Sequence, residues 1–194
     1  LTEVTELHGE KEADLVLIND GDLSYAKLRF DDRSIATLKK YLGRLNDPLA
    51  RAVTWAAIWD MHRDAEISSA DFLEIALNGL AGETDDAIVN IVLSQLTTSV
   101  EAYSKEANRN AYREKLADGL WTLTQNSKPG SDLQLLISRA FALNAQTEAQ
   151  TSNIRELLNG AAQGLKVDAD LRWYFLIALT ERGATTKAEL DVEL

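Results

Sequence analysis

A chain of 194 residues is long enough for one large domain, or a small module joined to a medium one. With 45% hydrophobic and 26% charged residues, 2 Pro and 10 Gly, it has the composition of a soluble globular protein, and disorder as the main state is excluded. The formal charge of −11 argues against a nucleic-acid role, and the absence of Cys removes disulfides, thiol chemistry and thiolate metal sites.

The cysteine usage suits a reducing compartment, and the expected location is the cytoplasm. The longest uncharged stretch, residues 87–100, carries Asn90, Gln95, Thr97 and Thr98 and is too short to cross a bilayer, so no membrane role is expected. The basic clusters Lys39-Lys40-Arg44 and Arg109-Arg113-Lys115 are short and helix-spaced, which fits solvated faces. The first residue is Leu1 rather than Met, inside a strand-like pattern, so the chain is expected to be a piece of a longer protein.

Residues 1–30 differ from the rest. Leu15-Val16-Leu17-Ile18 is an apolar run closed by the turn cluster Asn19-Asp20-Gly21-Asp22. From Ser24 to Phe30 the pattern alternates, with Ala26, Leu28 and Phe30 on one face, as in a half-buried strand. Two strands are not stable alone, so the remainder of their sheet is expected upstream.

From Asp31 the period becomes helical. A first helix is expected over 32–45, with Ile35, Leu38, Leu42 and Leu45 on its stripe. Asp47-Pro48 supplies a cap and a first-turn proline for a second helix to about Asp64, carrying Ala52, Trp55, Ala56 and Trp59. A third starts at Ser68 or Ser69, with Phe72, Ile75 and Leu80 facing inward, and stops near Gly82. The fourth follows Thr84, with Ile88, Ile91, Val92, Leu96, Val100 and Tyr103. A fifth covers about 106–126, and Pro129-Gly130-Ser131 then breaks and recaps the chain.

The sixth helix runs to about Ala145, the seventh from Thr147 to Asn159 and the eighth over 169–182 behind Asp168; a last short one begins at Thr186. Paired in order they make four hairpins. The expected fold is therefore mainly α, an α-α superhelix of stacked antiparallel hairpins of HEAT/armadillo-like type, preceded by a short β segment.

Chemistry is hard to find. His62 and Glu66 stand four apart on one helical face, but zinc needs a third ligand and no neighbouring helix offers a His. His62-Arg63-Asp64 echoes a kinase catalytic loop, yet the required Asn is replaced by Ser69. Asp20, Asp22, Ser24 and Asp31 echo a calcium loop, with Tyr25 where the sharp turn needs Gly. The acidic pairs Asp31-Asp32, Asp85-Asp86 and Asp168/Asp170 lie at predicted helix starts, where they cap. Trp55, Trp59, Trp121 and Trp173 fall within helices and read as core or hairpin contacts. No catalytic, cofactor-binding or metal residue is assigned.

The segment from Asp14 through Asn19, Tyr25 and Arg29 to Asp31, followed by Arg33-Ser34, resembles a junction in a known family. It is similar to the link between the β-sandwich and the C-terminal helical domain of the aminopeptidase N family of zinc metallo-aminopeptidases, of the actinobacterial type. The resemblance continues at Asp47-Pro48 with Arg51, at Trp55 with Trp59-Asp60-Met61, and at Arg63-Asp64 with Glu66 and Ser68. It returns at Gly130-Ser131-Asp132-Leu133, Leu157-Leu158-Asn159-Gly160 and Val167-Asp168 with Arg172-Trp173. It implies that residues 1–30 are the final strands of the sandwich and 31–194 a helical domain, expected to continue past Leu194. It also implies a parent enzyme that holds zinc through H-E-x-x-H and a distant Glu, none of which occurs here. The implied role is noncatalytic: a helical bowl that covers the active site, limits peptide access, and has the upstream catalytic domain and peptide substrates as partners. The alternative is an independent helical-repeat scaffold that binds a partner protein.

Overall fold

A computed structural model describes residues 8, 9 and 11–193. Among them are nine α-helices: α1 (Asp32–Tyr41), α2 (Pro48–Arg63), α3 (Ser69–Leu80), α4 (Asp86–Thr98), α5 (Glu106–Asn126), α6 (Asp132–Asn144), α7 (Glu148–Leu158), α8 (Ala169–Glu181) and α9 (Lys187–Val192). Local chemistry fixes most of their starts. Asp31, Asp47, Ser68, Asp85, Ser131, Thr147, Asp168 and Thr186 each accept a hydrogen bond from a first-turn backbone N–H. Helix α5 is the exception, because Lys105 stands at its N-cap and gives no side-chain cap.

The helices stack in two layers. Helices α1, α3, α5 and α7 follow one another in one layer, and α2, α4, α6 and α8 in the other. Successive members pair as hairpins across the layers, most extensively α5 with α6 and α7 with α8, whereas α1 packs chiefly on α3. This is the mainly-α architecture of helical hairpins that the periodicity predicts. One continuous apolar core runs from Phe30 and Leu38 through Ile58, Phe72, Leu96, Leu120 and Phe141 to Phe175 and Leu179.

The structure departs from the sequence expectations in four places. Helix α1 stops at Tyr41 and passes into a 3-10 turn, Leu42–Arg44. The turn brings Gly43 against the end of α3, where a Cβ on Gly43 would lie 2.6 Å from the Gly79 carbonyl oxygen. Helix α4 stops at Thr98 and gives way to a π turn, Ser99–Tyr103, which swings Tyr103 off the apolar stripe. On α2 the expected Trp55 is buried and Trp59 packs on the core, but Val53, Ala57, Ile58 and Met61 are buried as well and Ala56 is exposed. Ile91 on α4 is likewise exposed.

No β-ladder forms among the described residues, so the two stretches expected as strands have no partner strand here. Their alternation is nevertheless visible as burial. Leu15, Leu17 and Leu28 pack on the helical core and Phe30 is buried, while Val16, Ile18 and Tyr25 face outward; Ala26, expected on the inner face, is exposed. Backbone bonding goes to the helices instead. The Val16 N–H donates to Ser34 Oγ at 3.1 Å, and the Asp14 carbonyl accepts from Thr37 Oγ1 at 2.6 Å. The intervening turn is held by Asn19, at φ 62°, whose amide donates to the Ser24 carbonyl at 2.8 Å and accepts from the Ser24 N–H at 2.9 Å.

Three buried polar nodes tie the hairpins together. Arg51 of α2 meets Glu83 in the loop after α3. Gln134 of α6 accepts from the Gly130 N–H and donates to the Thr124 and Gln163 carbonyls. Gln150 of α7 accepts from the Gln146 and Thr147 N–H groups and donates to Asp118 of α5 at 2.8 Å. Buried groups satisfied on several sides in this way favour one register over its neighbours.

Candidate functional site

His62 lies in the last turn of α2 and is only 5% exposed. Its imidazole stacks on Phe72 of α3 at a centroid distance of 4.7 Å and meets Tyr103 of the π turn edge-on at 5.5 Å. Trp59 flanks it at 5.7 Å. Nδ1 lies 3.2 Å from the Ile67 carbonyl. A carbonyl only accepts, so Nδ1 carries the proton and Nε2 presents a lone pair. Nε2 is buried and has no hydrogen-bond partner. Burial, partly offset by the Ile67 bond, pushes the imidazole below its ordinary range, which keeps it neutral near pH 7.

The ring lines a cavity of about 380 Å³ where the end of α2, the start of α3, the π turn and the start of α5 converge. Its wall includes Arg63, Ser68, Tyr103, Lys105, Asn108 and Tyr112, and contains no carboxylate. The nearby acids are engaged elsewhere: Asp64 pairs with Lys27 and Arg29, and Glu66 with Arg29. The chain reaches this corner through Ala65, whose φ of 61° closes the end of α2.

This geometry separates the candidate metal pair. Glu66 is exposed and turned to Arg29, while His62 Nε2 is enclosed by aromatic rings. Among the described residues no group of three or more His, Asp or Glu side chains is arranged to hold a metal ion. A zinc site does not fit these side chains. The acidic pairs occupy helix starts, with Asp31, Asp85 and Asp168 each bonded to first-turn N–H groups. Trp55 is buried with Nε1 on Glu83, whereas Trp59, Trp121 and Trp173 are half-buried.

The cavity around His62 left little trace in the sequence. One signal was present: of the helix starts, only that of α5 lacks Ser, Thr, Asp or Asn at the cap. A second surface lies on the N-terminal arm, where Val16, Ile18, Leu23 and Tyr25 are exposed. A cleft of about 210 Å³ between the arm and α2 is lined by Ala26, Leu28, Leu49, Ala52 and Ala56. No helix among the described residues is long and apolar enough to cross a membrane.

Residues 15–194 match the model of the ERAP1-like C-terminal domain family. Over its whole length the chain is 36% identical to Aminopeptidase N of Streptomyces lividans, and it spans 23% of that protein. With nearly the whole sequence matched and the helical-hairpin fold in place, the chain belongs to the ERAP1-like C-terminal domain family.

Proposed function

We propose that this chain is the noncatalytic C-terminal part of a zinc-dependent aminopeptidase, which covers the active site of the parent enzyme and limits access to peptides that present a free end. The observation that carries this reading is the match over residues 15–194, together with the 36% identity to part of a larger Aminopeptidase N. The partners are the catalytic domain of the same chain and the peptide substrates. Zinc would be held in that catalytic domain, and the enzyme would act in the cytoplasm. Residues 1–30 would complete a β-sandwich of the parent, and the apolar side chains Val16, Ile18, Leu23 and Tyr25 supply the kind of surface such packing uses.

Two assays test the reading. The purified chain should release no product from an aminoacyl-anilide, with or without added zinc, and chelator-sensitive turnover by this chain alone would overturn it. In the full-length parent, removal of the segment should change the dependence of rate on peptide length more than the rate on a dipeptide. Equal loss on all substrates would make the segment a stabiliser only.

A further inference from the structure

We propose that the corner where α2, α3 and α5 meet is an acid-sensitive latch, in which protonation of His62 lifts the segment Tyr103–Lys105 while the rest of the stack stays folded. The latch is independent of the proposed covering role.

The ring is sealed in its neutral form. Its Nδ1–H is committed to the Ile67 carbonyl, and Nε2 lies buried among Trp59, Phe72 and Tyr103 without a hydrogen-bond partner. A proton on Nε2 adds a charge and a donor where there is neither a carboxylate nor an acceptor. The charged and titratable groups around the adjoining cavity are Arg63 of α2, Tyr103 of the π turn, and Lys105 and Tyr112 at the start of α5. The acids on these elements are engaged elsewhere: Asp64 and Glu66 with Lys27 and Arg29, Asp71 with Lys39, and Glu101 with Arg113. An imidazolium would therefore meet two cations and no free counter-charge.

Of the walls around the ring, the segment Tyr103–Lys105 is the least anchored. Phe72 is fully buried on α3, and Trp59 belongs to the same helix as His62. Tyr103 is 46% exposed, meets the ring only edge-on, and ends a π turn between two helices. Lys105 follows it, exposed and without a side-chain cap for α5, so the positive end of a 21-residue helix borders the same cavity. Repulsion between like charges and the demand of Nε2–H for water act on this segment in the same direction. With Tyr103 displaced, the cavity of about 380 Å³ brings water to the ring.

Linkage sets the size of the effect. In the open corner the imidazole takes its proton near its ordinary value of about 6.5, whereas burial holds it lower in the closed one. The closed corner is fully held above about pH 6.5 and weakens as pH falls below it. The opening constant should rise about tenfold between about pH 7.5 and about pH 5.5.

The test is amide hydrogen exchange of the purified chain at about pH 7.5 and about pH 5.5, corrected for the intrinsic pH dependence of exchange, with and without low urea. Amides of the π turn and the first turns of α5, Asn108 among them, should open about tenfold more often at the lower pH. Low urea should leave that change unaltered, because a local opening exposes little surface, while the slowest amides of the core respond to it. His62→Phe should remove the acceleration and leaves His8 in place, which assigns the effect to His62. Should that variant fail to fold, the ring of His62 followed by NMR in the native chain decides, since its protonation must share a midpoint with the opening. Exchange at the segment that ignores pH, acceleration that follows urea as the core does, acceleration that survives His62→Phe, or protonation of His62 with these amides unmoved would each overturn the latch.

Discussion

Arg51 and Glu83, 32 positions apart, face each other in a pocket nearly closed to water, with the guanidinium Nη2 3.1 Å from the carboxylate. Neither charge relies on the other alone. Glu83 also accepts from Trp55 Nε1 at 3.0 Å and from the Thr84 and Asp85 N–H groups, while Arg51 donates to the Leu45 carbonyl at 2.7 Å. The cluster fastens the start of α2 to the loop between α3 and α4. Glu83→Ala leaves a buried guanidinium without its carboxylate and should cost about 3–5 kcal/mol. Arg51→Met combined with Glu83→Leu should recover much of that loss, because replacing both partners avoids the uncompensated charge. Urea unfolding of the two single variants and the pair measures the coupling.

The same carboxylate gives the fold an acid limb. Burial raises the affinity of Glu83 for a proton, but Arg51, the Thr84 and Asp85 amides and Trp55 together outweigh it and hold the group below its ordinary range. The unfolded chain therefore binds this proton first as pH falls. The stabilisation is complete above about pH 5 and is lost as pH drops through the folded-state value. Glu83→Gln should flatten that part of a plot of melting temperature against pH.

His62 adds a separate step at higher pH. The buried imidazole resists protonation, whereas the unfolded one takes a proton near pH 6.5, so stability should begin to fall below about that point. His62→Phe keeps a flat ring against Phe72 and removes the lone pair that has no donor. It also strands the Ile67 carbonyl, so it should fold with at most a small loss of stability at pH 7, and it should lose the step below about pH 6.5. Thermal melts across that range check both statements.

Close backbone contact between the Leu42–Arg44 turn and the end of α3 leaves no space for a methyl group. A Cβ on Gly82 would sit 2.1 Å from the Gly43 carbonyl oxygen. Gly82 is not in the left-handed region, so the cost of Gly82→Ala is steric and should be about 1–3 kcal/mol. Gly160→Ala meets no neighbouring atom but is strained by its φ of 78°, which makes it a control in which conformation alone is taxed. Chemical denaturation of both variants separates the two effects.

Gln134 offers a test of the interhelical polar nodes. Its side chain is 2% exposed and bonds the loop before α6, the end of α5 and the loop after α7. Gln134→Leu keeps the volume but strands the Gly130 N–H and two carbonyls, with an expected loss of about 1–3 kcal/mol for each buried group that water cannot reach. Hydrogen exchange should show the loss at Gly130 first.

Much of the helical fold was legible because its signals are local. Asp47-Pro48, Ser131 and Asp168 mark helix starts by their own chemistry, and each does so in the structure. What escaped depends on distant chain. Residues 60–66 include Asp60, Arg63, Asp64 and Glu66, so His62 stands in a polar window; Phe72 and Tyr103 from other elements bury it. The partnership of Arg51 with Glu83 has no sequence period to reveal it. The broad buried face of α2 has a similar origin. That helix is covered on several sides, and periodicity selected Ala56 while Ile58 and Met61 carry the buried volume. Alternation over 24–30 correctly separated inward Leu28 and Phe30 from outward Tyr25, but could not supply a neighbouring strand.

Helix α9 contains no buried residue and is moored by arginines: Arg155 reaches Glu189 and the Ala184 carbonyl, and Arg172 reaches Glu193. Attachments of this kind weaken as mobile ions gather around them, whereas oily packing does not. High salt should therefore loosen the far end of the stack before α5, α6 and their neighbours, leaving Leu190 as the apolar hold of α9 on the core. Ionic strength becomes a dial that acts on one edge of the molecule and spares its centre.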